Sequence, residues 1–77
     1  MDACRWIVAE GYCGFLPDST DECATLETAR NVAIGRAREL RELGYQVEGS
    51  AREMAYTAIV PTDRHLDRYI EIVPAED

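Results

Sequence analysis

Residues 24–43 carry the helical repeat that most constrains this sequence. Its apolar positions recur at steps of three and four residues and therefore fall on one stripe of an α-helix: Leu26, Ala29, Ala33, Ala37 and Leu40. Gly44 follows this segment and is a typical helix stop. Because most of the stripe is alanine, the helix backbone can lie close to a neighbouring layer. A small chain with a single helix of this kind must bury the stripe against a β-sheet.

Four other segments predict strands, because apolar or β-branched residues alternate or cluster between turn residues: 4–11, 45–50, 54–60 and 68–73. Residues 12–23 predict a loop that leads into the helix. Ser19 followed by Glu22 fits a capping box, with Asp21 and Thr25 as competing caps. The predicted fold is α+β, in the order βαβββ. One α-helix packs on one face of a four-stranded, mostly antiparallel sheet, and residues 1–77 form a single domain.

One helix covers one face of such a sheet and leaves the other face open to solvent, a second copy or a partner. Strand alternation predicts these residues on the helix side: Ile7, Ala9, Tyr45, Val47, Ile70 and Ile72. The same alternation predicts these on the open side: Trp6, Val8, Glu10, Gln46, Glu48, Tyr69, Glu71 and Val73. The open face is thus predicted to mix aromatic side chains with carboxylates.

Charge limits the partners of that face. The sequence has 15 acidic and 8 basic residues and a net charge of -7, which disfavours direct nucleic-acid binding and suits a basic protein surface. On a sheet, neighbouring carboxylates lie roughly 5–7 Å apart, much as phosphates do along a nucleic acid. The predicted partner-binding residues are an acidic row with two aromatics beside it: Glu10, Glu48 and Glu71, extended by Asp18, Asp21 and Glu22, with Trp6 and Tyr69. The alternatives are a solvated face whose charge maintains solubility, and aromatics that belong partly to the core.

Catalytic and metal chemistry find little support in the sequence. Cys4, Cys13, Cys23 and His65 lack the close pairing of zinc ligands, and three cysteines do not form a closed disulfide set. A Cys13 and His65 pair has no local signature of a nucleophilic site, and the glycines match no phosphate-binding loop. We expect no enzyme activity, no metal and no cofactor. The N-terminus lacks the features of a signal peptide, and no segment is long and apolar enough to span a membrane, so we expect a cytoplasmic protein with reduced thiols.

Three segments resemble small proteins of bacteriophages and prophages: Gly11 to Ser19 (GYCGFLPDS), Ala24 to Ala29 (ATLETA) and Ile70 to Pro74 (IEIVP). In size, acidity and strand order the chain is similar to anti-CRISPR proteins that act on type I systems. The resemblance implies a non-enzymatic inhibitor in the bacterial host cytoplasm. Such an inhibitor binds a Cascade-like CRISPR surveillance complex and blocks target DNA, either by occupying a basic DNA channel or by wedging on a subunit. It transfers no site residues. The alternative is a phage-encoded interaction module with a different host target, or a homodimer that pairs its open sheet faces.

Overall fold

The computed structural model describes residues 5–75, apart from the side chain of Arg64. Cys4 lies outside the described residues. The elements in chain order are β1 (Trp6–Tyr12), β2 (Ser19–Cys23), α1 (Leu26–Glu42), β3 (Gln46–Ser50), β4 (Ala55–Ile59), a 3-10 turn (Arg64–Leu66) and β5 (Arg68–Pro74). The predicted α+β class is confirmed, with five strands in the described part rather than the four expected.

The strands form one sheet in the order β2-β1-β5-β4-β3, and each neighbouring pair is antiparallel. Two hairpins, β1–β2 and β3–β4, flank β5, which lies in the centre of the sheet. The helix α1 follows β2 at one edge and precedes β3 at the other. It therefore crosses the whole sheet and covers one face of it, as the sequence predicted.

The strand β2 was missed by the sequence analysis, which assigned its residues to a loop and a helix cap. It pairs with β1 from Trp6 opposite Cys23 to Glu10 opposite Ser19. Strand formation here depends on tertiary pairing more than on intrinsic propensity. Since the strand runs through Cys23, the helix begins later, and Thr25 caps it by accepting a hydrogen bond from the Thr28 amide at 3.1 Å. The Ser19 capping box was therefore wrong, and one of the two competing caps is the real one.

The core lies between α1 and the sheet. Ala29, Ala33 and Ala37 are fully buried and Leu40 nearly so, which confirms the predicted stripe. Their sheet partners are Val8, Tyr56, Ala58, Ile70 and Ile72. Because the helix side of this interface consists mainly of methyl groups, most of the apolar volume in the core comes from the strands.

The face assignment of β1 was wrong by one residue. Val8 is fully buried and lies opposite Ile72, and Glu10 lies opposite Ile70, so both point to the helix with Trp6. Ile7 and Ala9 occupy the open face instead. The sequence prediction placed the charged Glu10 toward solvent, whereas in the fold two arginines compensate its charge on the helix side.

The other face assignments agree with the structure. Val47 lies on the helix side with Ile70 and Ile72, and Tyr45, just before β3, packs against the same core. The open face holds the remaining predicted residues: Gln46, Glu48, Tyr69, Glu71 and Val73.

Gly49 provides a test of the edge hairpin. Its φ is 101°, and an added Cβ would overlap the Ala55 carbonyl oxygen and lie 3.0 Å from Tyr56 Cα. We expect Gly49→Ala to lower the free energy of unfolding by about 2 kcal/mol, because the left-handed backbone and the overlap both oppose a side chain. Gly35→Ala is the control, since an added Cβ there meets nothing within 4 Å and should stabilise the helix by about 0.5–1 kcal/mol. Equal stabilities of the two variants in urea unfolding would contradict this account.

Candidate functional site

Glu10 connects two arginines through its two carboxylate oxygens. Arg36 of α1 donates from Nη1 to Oε1 at 2.7 Å, and Arg68 of β5 donates from Nε to Oε2 at 3.2 Å. The Glu10 residue is only 9% exposed. A carboxylate this buried is stable only when paired and hydrogen-bonded, and both conditions are met here.

The same arginines bind two further acids. Arg36 also donates from Nε to Asp21 Oδ2 at 3.1 Å, and its Nη2 contacts the same oxygen. Arg68 Nη2 donates to both Asp18 oxygens, at 3.0 and 3.3 Å, and its guanidinium lies 4.4 Å from the centre of the Tyr12 ring. We call Glu10, Asp18, Asp21, Arg36 and Arg68 the ion-pair network. It joins α1 to β1, β2 and β5, and to the end of the loop before β2.

The network raises the pKa values of both arginines. For Arg36 the hydrogen bond to Asp21 has the largest effect, and the Glu10 contact adds to it against the effect of burial. For Arg68 burial lowers the pKa, and the hydrogen bonds and charges of Asp18 and Glu10 outweigh it. A pKa raised by folding stabilises the folded state below the unfolded pKa. Because arginine titrates above about 12, this contribution is present across the whole ordinary pH range.

The network also corrects the predicted acidic row. Glu10 lies on the helix face, opposite to the face that holds Glu48 and Glu71, so the three do not form a row. Asp18 and Asp21 are bound to arginines, and the partly buried Trp6 packs against the core. The sequence analysis predicted these residues on an open surface, because no local pattern indicates that Arg36 and Arg68 form ion pairs with the acids.

Three of the predicted acids remain at the open face. Glu22 is exposed and forms an ion pair with Arg5 at 3.3 Å. Glu71 lies opposite Ala55 on β4, whereas Glu48 lies opposite Thr57, two strands away from β5. Strand spacings place the Cα atoms of these two glutamates about 12 Å apart. They are separate charges on a broad face and not a closely spaced track.

The loop between β1 and β2 lies over the open face at Gly11. Tyr69 donates from its hydroxyl to the Phe15 carbonyl at 3.0 Å. An added Cβ on Gly11 would lie 3.0 Å from Pro17 Cα and 3.1 Å from the Leu16 carbonyl oxygen, so glycine makes this approach possible. The Cys13 amide also donates to the Asp67 carbonyl at 2.9 Å. The loop is therefore held at its start and along its middle.

Two large apolar side chains project from this held loop. Phe15 is 73% exposed and Leu16 is 88% exposed. Beside them an open groove of about 610 Å³ runs over the sheet, and its lining includes Phe15, Leu16, Pro17, Thr57, Tyr69 and Glu71. We call this the loop–sheet groove. Of the predicted site residues, the groove contains Tyr69 and Glu71. The sequence analysis did not identify Phe15 and Leu16. Their signal in the sequence was two adjacent large apolar residues in a predicted loop, outside the segments predicted to form the core.

Tyr69 links the loop to the charge of the open face. Its pKa is raised above the ordinary value of 10.0 because its hydroxyl is partly withdrawn from water and because Glu71 and Asp18 are negatively charged. The neutral hydroxyl is therefore the favoured form in the fold. Its contribution to stability is present below pH 10 and is lost as the pH rises through the folded pKa.

The described residues include two cysteines. Cys13 is exposed and Cys23 is buried, and both are free thiols. Within residues 5–75 no three histidine, cysteine or acidic side chains are grouped so that they could hold a metal ion. None of the described helices combines the length and the apolar character needed to cross a membrane.

No protein-family model, no curated protein and no solved structure matches this chain. The main feature of the described surface is a loop held by hydrogen bonds, with two exposed apolar side chains beside a groove whose lining includes the Glu71 carboxylate.

The ion-pair network yields a stability test. We expect Glu10→Gln to lower the free energy of unfolding by about 2–3 kcal/mol, because it leaves two partly buried guanidinium groups without their shared carboxylate. Glu22→Gln is the matched control, since it breaks the exposed Arg5 pair and should cost less than about 0.5 kcal/mol. Urea unfolding in low and high salt measures both. The Glu10 effect should persist in high salt, and a loss equal to that of the Glu22 variant would show that the network is not structural.

The Tyr69 hydrogen bond yields a test of the loop. Tyr69→Phe should speed hydrogen exchange of the Cys13 and Asp18 amides, because the Phe15 carbonyl loses its donor and the loop is held less firmly to the sheet. It should also remove a component from the tyrosinate absorbance that titrates above pH 10. Tyr45→Phe, in a residue that packs against the core, is the control and should leave loop exchange unchanged. Unchanged exchange in the Tyr69 variant would mean that the loop is held by other contacts.

Proposed function

We propose that this protein is a small non-enzymatic inhibitor that binds a protein complex through the exposed pair Phe15 and Leu16 and the adjoining loop–sheet groove. The observation that carries this proposal is the exposure of the pair, 73% and 88%, on a loop that hydrogen bonds hold to the sheet. Covering such a surface with a partner is favourable because it removes apolar side chains from water, and adjacent exposed apolar residues beside a groove are typical of interaction sites. The hydrogen bonds of Phe15 and Cys13 to the rest of the fold reduce the entropy that the loop would lose on binding.

The charge of the chain favours a basic partner. The net charge is -7, and the open face carries Glu71 in the groove and Glu48 beyond it, both without an ion-pair partner among the described side chains. An apolar centre with a charged surround is the usual arrangement of a protein interface, in which the charges speed encounter and the apolar contacts hold the complex. The protein therefore binds a surface that is apolar at its centre and basic around it.

The resemblance to anti-CRISPR proteins of type I systems makes a subunit of the surveillance complex the proposed partner, in the cytoplasm of the bacterial host. Of the two modes that the resemblance implies, wedging on a subunit fits this surface better than an acidic decoy in a DNA channel. Glu10, Asp18 and Asp21 are engaged by arginines of the same chain, so they are not available to imitate phosphates. Inhibition then follows because the bound protein blocks the path of target DNA.

A double substitution tests this proposal. Phe15→Ala with Leu16→Ala should weaken binding to a purified type I surveillance complex at least tenfold, because exposed side chains that become buried at an interface centre each contribute on the order of 1 kcal/mol or more. Leu43→Ala is the matched control. Leu43 is also highly exposed, at 75%, but it lies at the C-terminal end of α1 and not in the loop. The affinities are measured by titrating each variant onto the immobilised surveillance complex. Inhibition is measured as competition with target DNA for that complex.

The outcomes separate the alternatives. Equal binding by wild type and the double variant would remove the loop from the interface. Failure of the wild type to bind any type I complex, together with capture of another host protein that depends on Phe15 and Leu16, would favour a module with a different target. A dimer in solution that the double variant dissociates would favour pairing of open faces.

A further inference from the structure

The loop–sheet groove combines an apolar wall with a charged end. Its wall is formed by the loop residues Phe15, Leu16 and Pro17, and its floor includes Tyr69 and Thr57. Tyr69 and Glu71 are two residues apart on β5 and point to the same side of the sheet, roughly 7 Å from each other. The hydroxyl of Tyr69 is bound to the Phe15 carbonyl, so the ring has a fixed position in the groove.

The potential in the groove is negative. Glu71 is exposed and has no ion-pair partner among the described side chains. The strand positions of the open face within residues 5–75 carry no basic residue; Glu22 is paired with Arg5, whereas Glu48 and Glu71 form no ion pair with a described side chain. The pKa of Tyr69 is raised first by partial removal of its hydroxyl from water, and the charges of Glu71 and Asp18 add to that effect. An unpaired carboxylate beside an aromatic ring and an apolar wall is suited to a long cationic side chain.

We propose that the loop–sheet groove receives an arginine side chain of the partner protein, whose guanidinium lies on the Tyr69 ring and pairs with Glu71 while its methylene stem lies along the loop. This deepens the proposed function, on which it rests, by naming the partner group that the site recognises. Arginine suits the groove better than lysine because a planar guanidinium both stacks on a ring and binds a carboxylate with two donors. A second copy of this chain is a poor occupant, because like charges would face each other across the pair of open faces.

The same arrangement already occurs inside the protein. The Arg68 guanidinium lies 4.4 Å from the centre of the Tyr12 ring and binds the carboxylates of Asp18 and Glu10. Arg68 is thus bound by an aromatic ring together with carboxylates. The groove offers the same combination, Tyr69 and Glu71, to an arginine of another protein. The difference is that the ring and acid of the groove, Tyr69 and Glu71, have no arginine of the described chain between them.

The experiment is an amide NMR titration of the full chain with N-acetyl-arginine amide. N-acetyl-citrulline amide, which has the same shape without the charge, is the ligand control. The arginine probe should shift the resonances of Thr57, Tyr69 and Glu71 with a dissociation constant in the millimolar range, and the citrulline probe should shift them little. Equal responses to both probes, or shifts confined to other surfaces, would overturn the proposal.

Variants make the assignment to Glu71 specific. Glu71→Gln should weaken the arginine probe about threefold or more, as expected for the loss of one solvent-exposed charge pair. Glu48→Gln is the matched control, because Glu48 is exposed on the same face but does not line the groove, and it should leave the affinity unchanged within twofold. Equal effects of the two substitutions would reduce the binding to general attraction by an acidic surface and overturn the proposal.

The experiments distinguish a failure of the arginine site from a failure of the inhibitor proposal. The titration uses a small probe and the free protein, so it does not depend on the identity of the partner. Binding of a surveillance complex without any response to the arginine probe would overturn the arginine site and leave the inhibitor proposal standing. A specific response to the probe without binding of any such complex would support the arginine site and redirect the search for its partner.

Discussion

The fold depends on one buried carboxylate. Glu10 lies on the central part of the sheet, under the helix, and its two oxygens bind Arg36 of α1 and Arg68 of β5. The core beside it is small, since α1 contributes alanine methyl groups and Leu40. In a chain of this length the apolar area buried is modest, so the orientation of the helix over the sheet and the position of β2 owe much to this charged contact and to the Asp21 and Asp18 contacts that continue it.

This arrangement divides the acids of the chain by role. Glu10, Asp18 and Asp21 neutralise arginines of the same molecule, so the net charge overstates what the helix side offers to a partner. Glu48 and Glu71 stay exposed on the opposite face. That face also carries the loop with Phe15 and Leu16, held there by Tyr69. The acids of the ion-pair network and the exposed Glu48 and Glu71 thus lie on different sides of one sheet, and the open side also carries the exposed pair Phe15 and Leu16.

Much of the fold could be predicted from the sequence because its signals are local. The alanine stripe, the Gly44 stop and the strands β3, β4 and β5 follow from periodicity and turn residues. The strand β2 could not be predicted, because Ser19, Thr20 and Asp21 are typical of a cap or loop and become a strand only by pairing with β1. The face assignment of β1 failed because Glu10 was placed in water, and its compensation by Arg36 and Arg68 is a contact between distant parts of the chain.

The candidate site was predicted less well. Tyr69, Glu48 and Glu71 were correctly placed on the open face, since their strands alternate clearly. Trp6 and Glu10 were misplaced with the rest of β1. Phe15 and Leu16 could have been noticed as apolar residues outside any periodic segment, although their position over the sheet depends on Gly11 and Tyr69, which is a tertiary contact.

The most direct measurement of the central claim is hydroxyl-radical footprinting of the protein, alone and with a purified type I surveillance complex. We expect oxidation of Phe15, Leu16 and Tyr69 to fall in the complex, while that of Leu43, which is 75% exposed in the free protein, stays the same. Protection of Leu43 and of the outer side of α1, with Phe15 and Leu16 still oxidised, would contradict it and would assign binding to the helix side of the molecule.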